Sequence, residues 1–364
     1  MSSSEAPDYR ALGAAFGFGG ELREARPLGA GHIHDSFLAR FSSGPARGAA
    51  VLQRINEDVV GDAGPLMDNI ERVTAHQRAK LARTLDAERR ALTVLPALDG
   101  RSWHRDAGGA AWRAYAWIPD TRALAAPVPF AQARDAARAF ALFQNQLADL
   151  PPPRLHETIP HFHDTPRRFA AFVEAARADP QGRADGAARE IELAAFAEPL
   201  AGALTEPWRR GELVERVTHN DTKLDNVLFD AGTGEALCVI DLDTVMPGLP
   251  LFDFGDMVRS AMLPIEDETD PGKIVASPEL FAALASGYIE GLGDRLLAAE
   301  RERLVVAGQV IVYECGLRFL TDYLKGDVYF KVRYPEQNLL RARAHLALLR
   351  SLREREEQLI EAIA

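Results

Sequence analysis

The order of apolar and polar positions divides the chain into a β-rich beginning and a mainly helical remainder. Ser36-Phe-Leu-Ala-Arg-Phe41 alternates as a strand does, and Ala50-Val-Leu-Gln-Arg-Ile55 reads as a second strand after the Gly-Pro-Ala-Arg-Gly turn. From about Pro65 to Leu85 the period changes, with Leu66, Ile70, Val73, Gln77 and Leu81 recurring on one face of a helix. Aromatic strands follow near Trp103 and over Ala111–Ile118, and Pro119-Asp120 ends the pattern. Pro127 and Pro129 then precede a helix running through Arg134 to Leu147, and Pro151–Pro153 makes a proline-rich connection. One β-rich stretch interrupts the helical part. Asn226–Asp230 and Ala236–Ile240 are short apolar runs joined by Ala231-Gly-Thr-Gly234, which predicts a hairpin. The fold class expected is α+β in two lobes, a β-rich N-lobe over 1–118 and a mainly helical C-lobe over 119–364.

Composition narrows the function. Hydrophobic residues make up 47% of 364 residues and charged residues 26%, so a packed core is expected and wholesale disorder is not. A net charge of −11 argues against a general nucleic-acid binder, which needs a basic surface, and leaves room for a local cationic nucleotide pocket. Cys238 and Cys315 are too few for a disulfide framework or a four-ligand zinc site and read as buried thiols in a reducing compartment. The N-terminus, with Glu5 and no charged start before an apolar stretch, does not read as a secretory signal. No uninterrupted apolar run approaches the ~18–20 residues of a membrane helix. A cytoplasmic protein is expected.

The hairpin is flanked by the residues that carry chemistry. Before it stands Thr218-His-Asn-Asp-Thr-Lys-Leu-Asp-Asn226, and after it Ile240-Asp-Leu-Asp243. Phosphoryl transfer to an alcohol needs a carboxylate that takes the hydroxyl proton, and hard oxygen ligands for a magnesium ion that bridges the phosphates. In the kinase plan the base and an amide ligand lie five residues apart on one loop, and a metal carboxylate ends the following hairpin. Asp221 and Asn226 have that spacing, and Asp241 follows Asp221 by twenty residues. Asp221 is therefore expected as base and Asn226 with Asp241 as Mg²⁺ ligands, against the plainer reading that they cap turns. Asp253-Phe-Gly255 spells a metal-bearing kinase tripeptide but lies thirty-two residues beyond Asp221. Since Asp241 already occupies the hairpin end, Asp253 and Asp256 are expected to cap a helix and, with His219, to support the catalytic loop. Lys223 could reach the γ-phosphate or the substrate, or be simply solvated.

With H-x-D-x-x-x-x-N and I-D in place, the chain resembles the aminoglycoside phosphotransferase and choline kinase superfamily. Within it, VLQRIN (51–56), LMDNIERVTAH (66–76), HNDTKLDNVLFD (219–230), VIDLDTVMPGL (239–249), DFGD (253–256) and RFLTDYLKGDVYFK (318–331) resemble the N-acetylhexosamine 1-kinases, over about residues 28–345. The resemblance implies a two-lobed protein-kinase-like fold and ATP-dependent phosphorylation of the anomeric hydroxyl of GlcNAc or GalNAc. The partners expected are this amino sugar and ATP, with neither nucleic acid nor membrane, in a monomer or homodimer. Other acceptors of the same plan, an aminoglycoside, choline or another sugar, remain open, as does a non-catalytic nucleotide-binding regulator.

Four further places gain a reading. Gly29 and Gly31 could let backbone N–H groups approach phosphate or could simply turn a hairpin. By resemblance their loop also lies near the sugar, with His32 and Asp35 as substrate contacts. On the second strand Arg54 stands where kinases place a phosphate-binding lysine, with Asp68 or Glu71 as its acidic partner, unless it is a structural arginine. Tyr115 to Ile118 reads as the adenine hinge, naming Tyr115 and Trp117, or as an ordinary core strand. Arg318 and Asp322 could form an i,i+4 ion pair, whereas resemblance assigns Arg318 and Tyr329 to the sugar. His161 and His163 read as loop residues without a role.

Overall fold

The computed structural model describes residues 7–28 and 34–363. The chain divides into two compact units, one formed by the chain to Thr121 with His156–Ile159, the other by Arg122–Leu155 and Pro160 onward.

The first unit opens with α1 (Tyr9–Ala15), β1 (Gly19–Pro27), β2 (Asp35–Ser43) and β3 (Ala49–Arg54). After the short α2 (Glu57–Val60) and α3 (Ala63–Leu81) come β4 (Val94–Leu95), β5 (Trp103–Arg105) and β6 (Ala111–Ala116). The strands form one antiparallel sheet in the order β1-β2-β3-β6-β4, with β5 alongside β6. Alternation in β2 puts Ala39 and Phe41 on one face, where they join Leu12, Phe16, Phe18, Leu52 and Trp112 in the core. The helix read from the apolar period is α3: Leu66, Ile70, Val73 and Gln77 are buried and Leu81 is half-buried. The Asp62 carboxylate caps it by accepting the Gly64 N–H. Asn69 on α3 clamps the backbone of His156, accepting its N–H and donating to its carbonyl, both at 2.9 Å. That pair of bonds accounts for the return of residues 156–159 to this unit.

β7 (Thr121–Ala123) spans the passage along the chain into the second unit. There follow α4 (Phe130–Leu147), α5 (Thr165–Ala178), α6 (Ala188–Phe196), α7 (Thr205–Arg209), β8 (Arg216–Thr218), β9 (Val227–Asp230), β10 (Ala236–Val239) and β11 (Met246–Gly248). The chain ends with α8 (Pro250–Met262), α9 (Pro278–Leu292), α10 (Ala298–Arg301), α11 (Leu304–Lys325), α12 (Gln337–Glu354) and α13 (Glu356–Glu361). β9 and β10 are the expected hairpin, and β8 pairs with β11 in a two-stranded ribbon. Glycines set how closely the helices pack. A Cβ on Gly291 of α9 would lie 2.9 Å from the Arg138 carbonyl of α4, and one on Gly255 of α8 would lie 2.6 Å from Ile311 of α11. α11 is long and apolar enough to cross a membrane, but 78% of its apolar window is buried inside the protein, as befits a core helix.

Candidate active site

The ribbon β8–β11 and the hairpin β9–β10 bring the two halves of the motif together. Residues 219–226 leave β8, and Asp241 follows β10 at the start of a tight turn. Three bonds stitch loop to turn. The Ile240 N–H donates to the Asn226 carbonyl at 2.9 Å, the Thr244 hydroxyl donates to the His219 carbonyl at 2.6 Å, and Asn220 Nδ2 donates to the Thr244 carbonyl at 2.9 Å. Asn220 and Asp241 both hold left-handed backbone, at φ 64° and 63°, a conformation that costs a non-glycine residue about 1–3 kcal/mol. The surroundings over-determine it at Asn220. Its N–H donates to Asp253, its Oδ1 accepts from Thr218, and Gly248 leaves room, since a Cβ there would sit 2.5 Å from Asn220 Oδ1.

Asp253 is the anchor of this loop. Its carboxylate accepts the N–H groups of His219 and Asn220 at 3.0 and 2.7 Å, and the amide of Gln144 from α4. It lies within α8, whose N-cap is Leu249, so it holds the loop without capping the helix. Burial pushes the Asp253 carboxyl up, and the His219 and Asn220 N–H donors with the Gln144 amide pull against that rise. The rest of the tripeptide is structural. Phe254 packs on Phe281 and Tyr288, and Gly255 admits α11. His219 is fully buried, edge-on to Phe140 and Phe143. Its Nε2 faces the Ile240 carbonyl at 2.9 Å and its Nδ1 faces the Asp221 N–H at 3.3 Å, which assigns the proton to Nε2. Asp256 is bound to Arg259, whose guanidinium also reaches Glu266 at 3.3 Å.

The charges around Asp221 are arranged to keep it ionised. Lys223 Nζ lies 3.1 Å from its Oδ2. Burial opposes ionisation, but Lys223, then Arg259, outweigh it and hold the carboxyl below its ordinary range. Lys223 is correspondingly raised, burial being overcome by Asp221. Asp241 behaves oppositely. Solvent reaches its side chain, yet dense protein around it and the carboxylates of Asp243 and Asp221 push it well above the usual range. A cation there would reverse that balance.

The donor chemistry fits magnesium. Among the described residues no group of three or more His, Cys, Asp or Glu side chains could hold a metal unaided. Magnesium is ordinarily held by one or two carboxylates with phosphate oxygens and water. Asp241 supplies a crowded, solvent-open carboxylate. Asn226 commits Nδ2 to the Asp221 carbonyl at 2.9 Å, which leaves Oδ1 to face an ion.

The remaining expected residues fall at several places. Gly29, Gly31 and His32 lie outside the described residues. Arg54 pairs with Asp35 directly opposite on β2, its Nε 3.1 Å from Oδ2, rather than with Asp68 or Glu71. Asp68 instead faces Arg72 and His156. Tyr115 is buried with the Arg113 guanidinium 5.3 Å over its ring, and the Trp117 N–H donates to the Ala49 carbonyl at 3.2 Å. In the second unit the Arg318 guanidinium sits 5.5, 5.8 and 5.3 Å from the rings of Phe162, Tyr329 and Phe330. Arg168 donates to the Phe162 carbonyl from the same neighbourhood. Asp322 does not serve Arg318; its oxygens hold the backbone of residues 328–330 and the Asn338 amide. Sequence reasoning missed Asp322 in this role, and also Gln144 and His163, which act through contacts more than a hundred positions away.

A carboxylate kept charged beside a lysine, on a loop tied to a second carboxylate and an amide, fits the chemistry of a phosphotransferase. Residues 24–302 match the APH phosphotransferase enzyme family, and the chain belongs to it. Several solved kinases share its fold. A microcompartment-associated aminopropanol kinase superposes with TM-score 0.66 at 17% identity, covering 98% of this chain and 100% of that one. Amicoumacin kinase hAmiN, solved with AMP-PNP, Ca²⁺ and Ami, gives 0.58 at 13% over 95% and 94%. Choline kinase from Cryptosporidium parvum gives 0.54 at 14% over 92% and 90%.

Proposed function

We propose that the protein is an ATP- and magnesium-dependent kinase of a small sugar, transferring the γ-phosphate to the anomeric hydroxyl of GlcNAc or GalNAc. The observation that carries the phosphotransfer reading is the Asp221–Lys223 pair on a loop stitched to Asp241. Asp221 stays ionised near neutral pH, as a base must, and accepts the hydroxyl proton. The anomeric hydroxyl is more acidic than an ordinary alcohol, so a carboxylate suffices. Asn226 Oδ1 and the Asp241 carboxylate hold Mg²⁺, which when bound screens phosphate charge. Lys223 is placed to hold a transferring phosphoryl oxygen once substrate loosens its bond to Asp221. In the first unit, which we take as the N-lobe, Arg54 offers a phosphate contact and Tyr115 to Ile118 the adenine edge. The match of the family to ATP-using kinases is supported by the AMP-PNP in amicoumacin kinase.

The choice of a neutral acceptor rests on charge. Arg318 and Arg168 share one neighbourhood, close enough that burial first, and then Arg318, lower the Arg168 guanidinium. A second cation, as in choline or an aminoglycoside, would be repelled there, whereas sugar hydroxyls and an acetamido carbonyl accept hydrogen bonds from guanidinium and pack on Tyr329 and Phe330. The test is incubation with ATP, Mg²⁺ and GlcNAc, GalNAc, glucose, galactose, choline or kanamycin, read by ³¹P NMR. A hexosamine α-1-phosphate that vanishes with Asp221→Asn supports the reading. Product from choline or kanamycin alone would overturn the choice of acceptor.

A further inference from the structure

His163 stands in the turn before α5 with its side chain 6% exposed, and it meets Glu314 of α11, whose side chain is wholly buried. Both ring nitrogens face acceptors. Nδ1 is 2.8 Å from Glu314 Oε1, and Nε2 is 2.9 Å from the carbonyl oxygen of Asn220. An imidazole can satisfy two acceptors only when each nitrogen carries a proton, so the ring is an imidazolium. The second Glu314 oxygen accepts the Thr165 hydroxyl at 2.6 Å, leaving that carboxylate fully engaged. Phe162 meets the ring edge-on and Phe252 lies tilted against it, at 4.7 and 4.9 Å between centroids, and the two shield it from water. Burial alone would discharge the ring. Glu314 from α11, and more weakly Asp256 from α8, keep its affinity for the proton raised.

The carbonyl gripped by Nε2 belongs to the peptide that joins Asn220 to Asp221. The N–H of that same peptide donates to His219 Nδ1. One peptide plane, the one that aims Asp221, is thus held at its oxygen by His163 and at its nitrogen by His219. We propose that the buried His163–Glu314 ion pair is a positioning device for Asp221, fixing the peptide that sets the direction of its carboxylate. A buried ion pair carries a desolvation cost that an apolar pair would avoid. What the charge adds is a stronger, single-tautomer hydrogen bond to the Asn220 carbonyl. His163 does not touch the reacting atoms; it acts through Asn220 and Asp221.

The proposal rests on Asp221 as base and is indifferent to the acceptor. It is tested first by ¹⁵N NMR of the imidazoles in the full chain at pH 8, with the His163 signals identified by their loss in H163Q. Two protonated nitrogens are expected; a neutral ring would overturn it. Turnover is then measured with whichever acceptor the ³¹P panel identifies or, with none, as hydrolysis of ATP by water. H163F is expected to lower kcat about 10–100-fold, as loss of a supporting contact does, with KM for ATP little changed. H163Q, which keeps a donor where Nε2 stands, should recover part of the loss. Should H163F fail to fold because Glu314 is stranded, H163F/E314Q removes that charge and is expected to be equally slow. Wild-type kcat in either Phe-containing variant would overturn the proposal. Full turnover in Asp221→Asn would sink the assignment of the base instead, while the NMR result still decides the charge on His163.

Discussion

Asp322 accepts the backbone N–H of Tyr329 at 2.8 Å, with Val328 and Phe330 bound to the same carboxylate at 3.0 and 2.9 Å. One side chain at the end of α11 therefore shapes the segment that places Tyr329 and Phe330 around Arg318. Asp327 extends the brace through Arg183 and Asn338. Asp322→Ala strands three backbone donors, which should destabilise the protein by about 1–3 kcal/mol for each that finds no water. The segment carries Tyr329 and Phe330, which we propose contact the acceptor. KM for the acceptor is therefore expected to rise about tenfold while KM for ATP stays within about twofold. Steady-state kinetics with each substrate varied in turn checks this, and equal changes in both would refute it.

Asp221→Asn keeps the shape of the side chain and removes both the proposed proton acceptor and the charged partner of Lys223. Loss of a general base costs about 10²–10⁴ in kcat, and that range is expected here. The thermal midpoint should stay near that of the parent, since Asp253, His163 and His219 still hold the loop. Parallel turnover and melting measurements check the pair of outcomes, and a large fall in the midpoint would make the residue a structural one.

The grouping of Asp221, Asn226 and Asp241 was readable because it is local. They lie on one loop and the hairpin that follows, so order and spacing carry their placement. The buried face of α3 was readable for the same reason, through Leu66, Ile70, Val73 and Gln77. What stayed hidden depends on contacts between distant residues. His163 meets Glu314 across 151 positions, and nothing in either neighbourhood marks the pair. Arg54 was expected to look to the following helix. Its partner is Asp35 instead, because the register of β2 and β3 sets those residues opposite each other. The strands of the β8–β11 ribbon have three residues each, too few to show a period.

Gly255 makes the tripeptide 253–255 testable as structure rather than chemistry. An added Cβ would meet Ile311 at 2.6 Å and the carbonyl carbon of Ala307 at 2.9 Å, both on α11. Alanine is favoured over glycine within a helix by about 1 kcal/mol, but overpacking a tight contact costs about 1–3 kcal/mol. The clash with backbone atoms cannot be relieved by a rotamer, so the cost prevails. Gly255→Ala is expected to lower the unfolding free energy read from urea by a net ~1–2 kcal/mol, whereas Gly100→Ala, with open space beside it, should act only through its positive φ. A stabilised Gly255→Ala would show that α8 and α11 can move apart.

His345 should make stability fall in mild acid. It is fully buried on α12, its Nδ1 2.7 Å from the Arg341 carbonyl and its ring 5.2 Å from Phe319. That carbonyl takes the Nδ1 proton, leaving Nε2 as the site of any second one. Burial, and then Arg259, lower its pKa from 6.5 to about 4. A histidine depressed in this way binds its second proton more readily in the unfolded chain. The unfolded state therefore gains protons between about pH 6.5 and 4, and stability drops as pH falls through that window, with nothing lost above it. The shift corresponds to about 3 kcal/mol at full development. His345→Asn keeps a donor near Nδ1 and cannot titrate. Urea unfolding at pH 7.5, 5.5 and 4.5 should therefore show the wild type losing stability more steeply than the variant, with the difference set by His345 because every other group titrates in both. Parallel curves for the two proteins would mean that His345 accepts a proton in the folded state without cost.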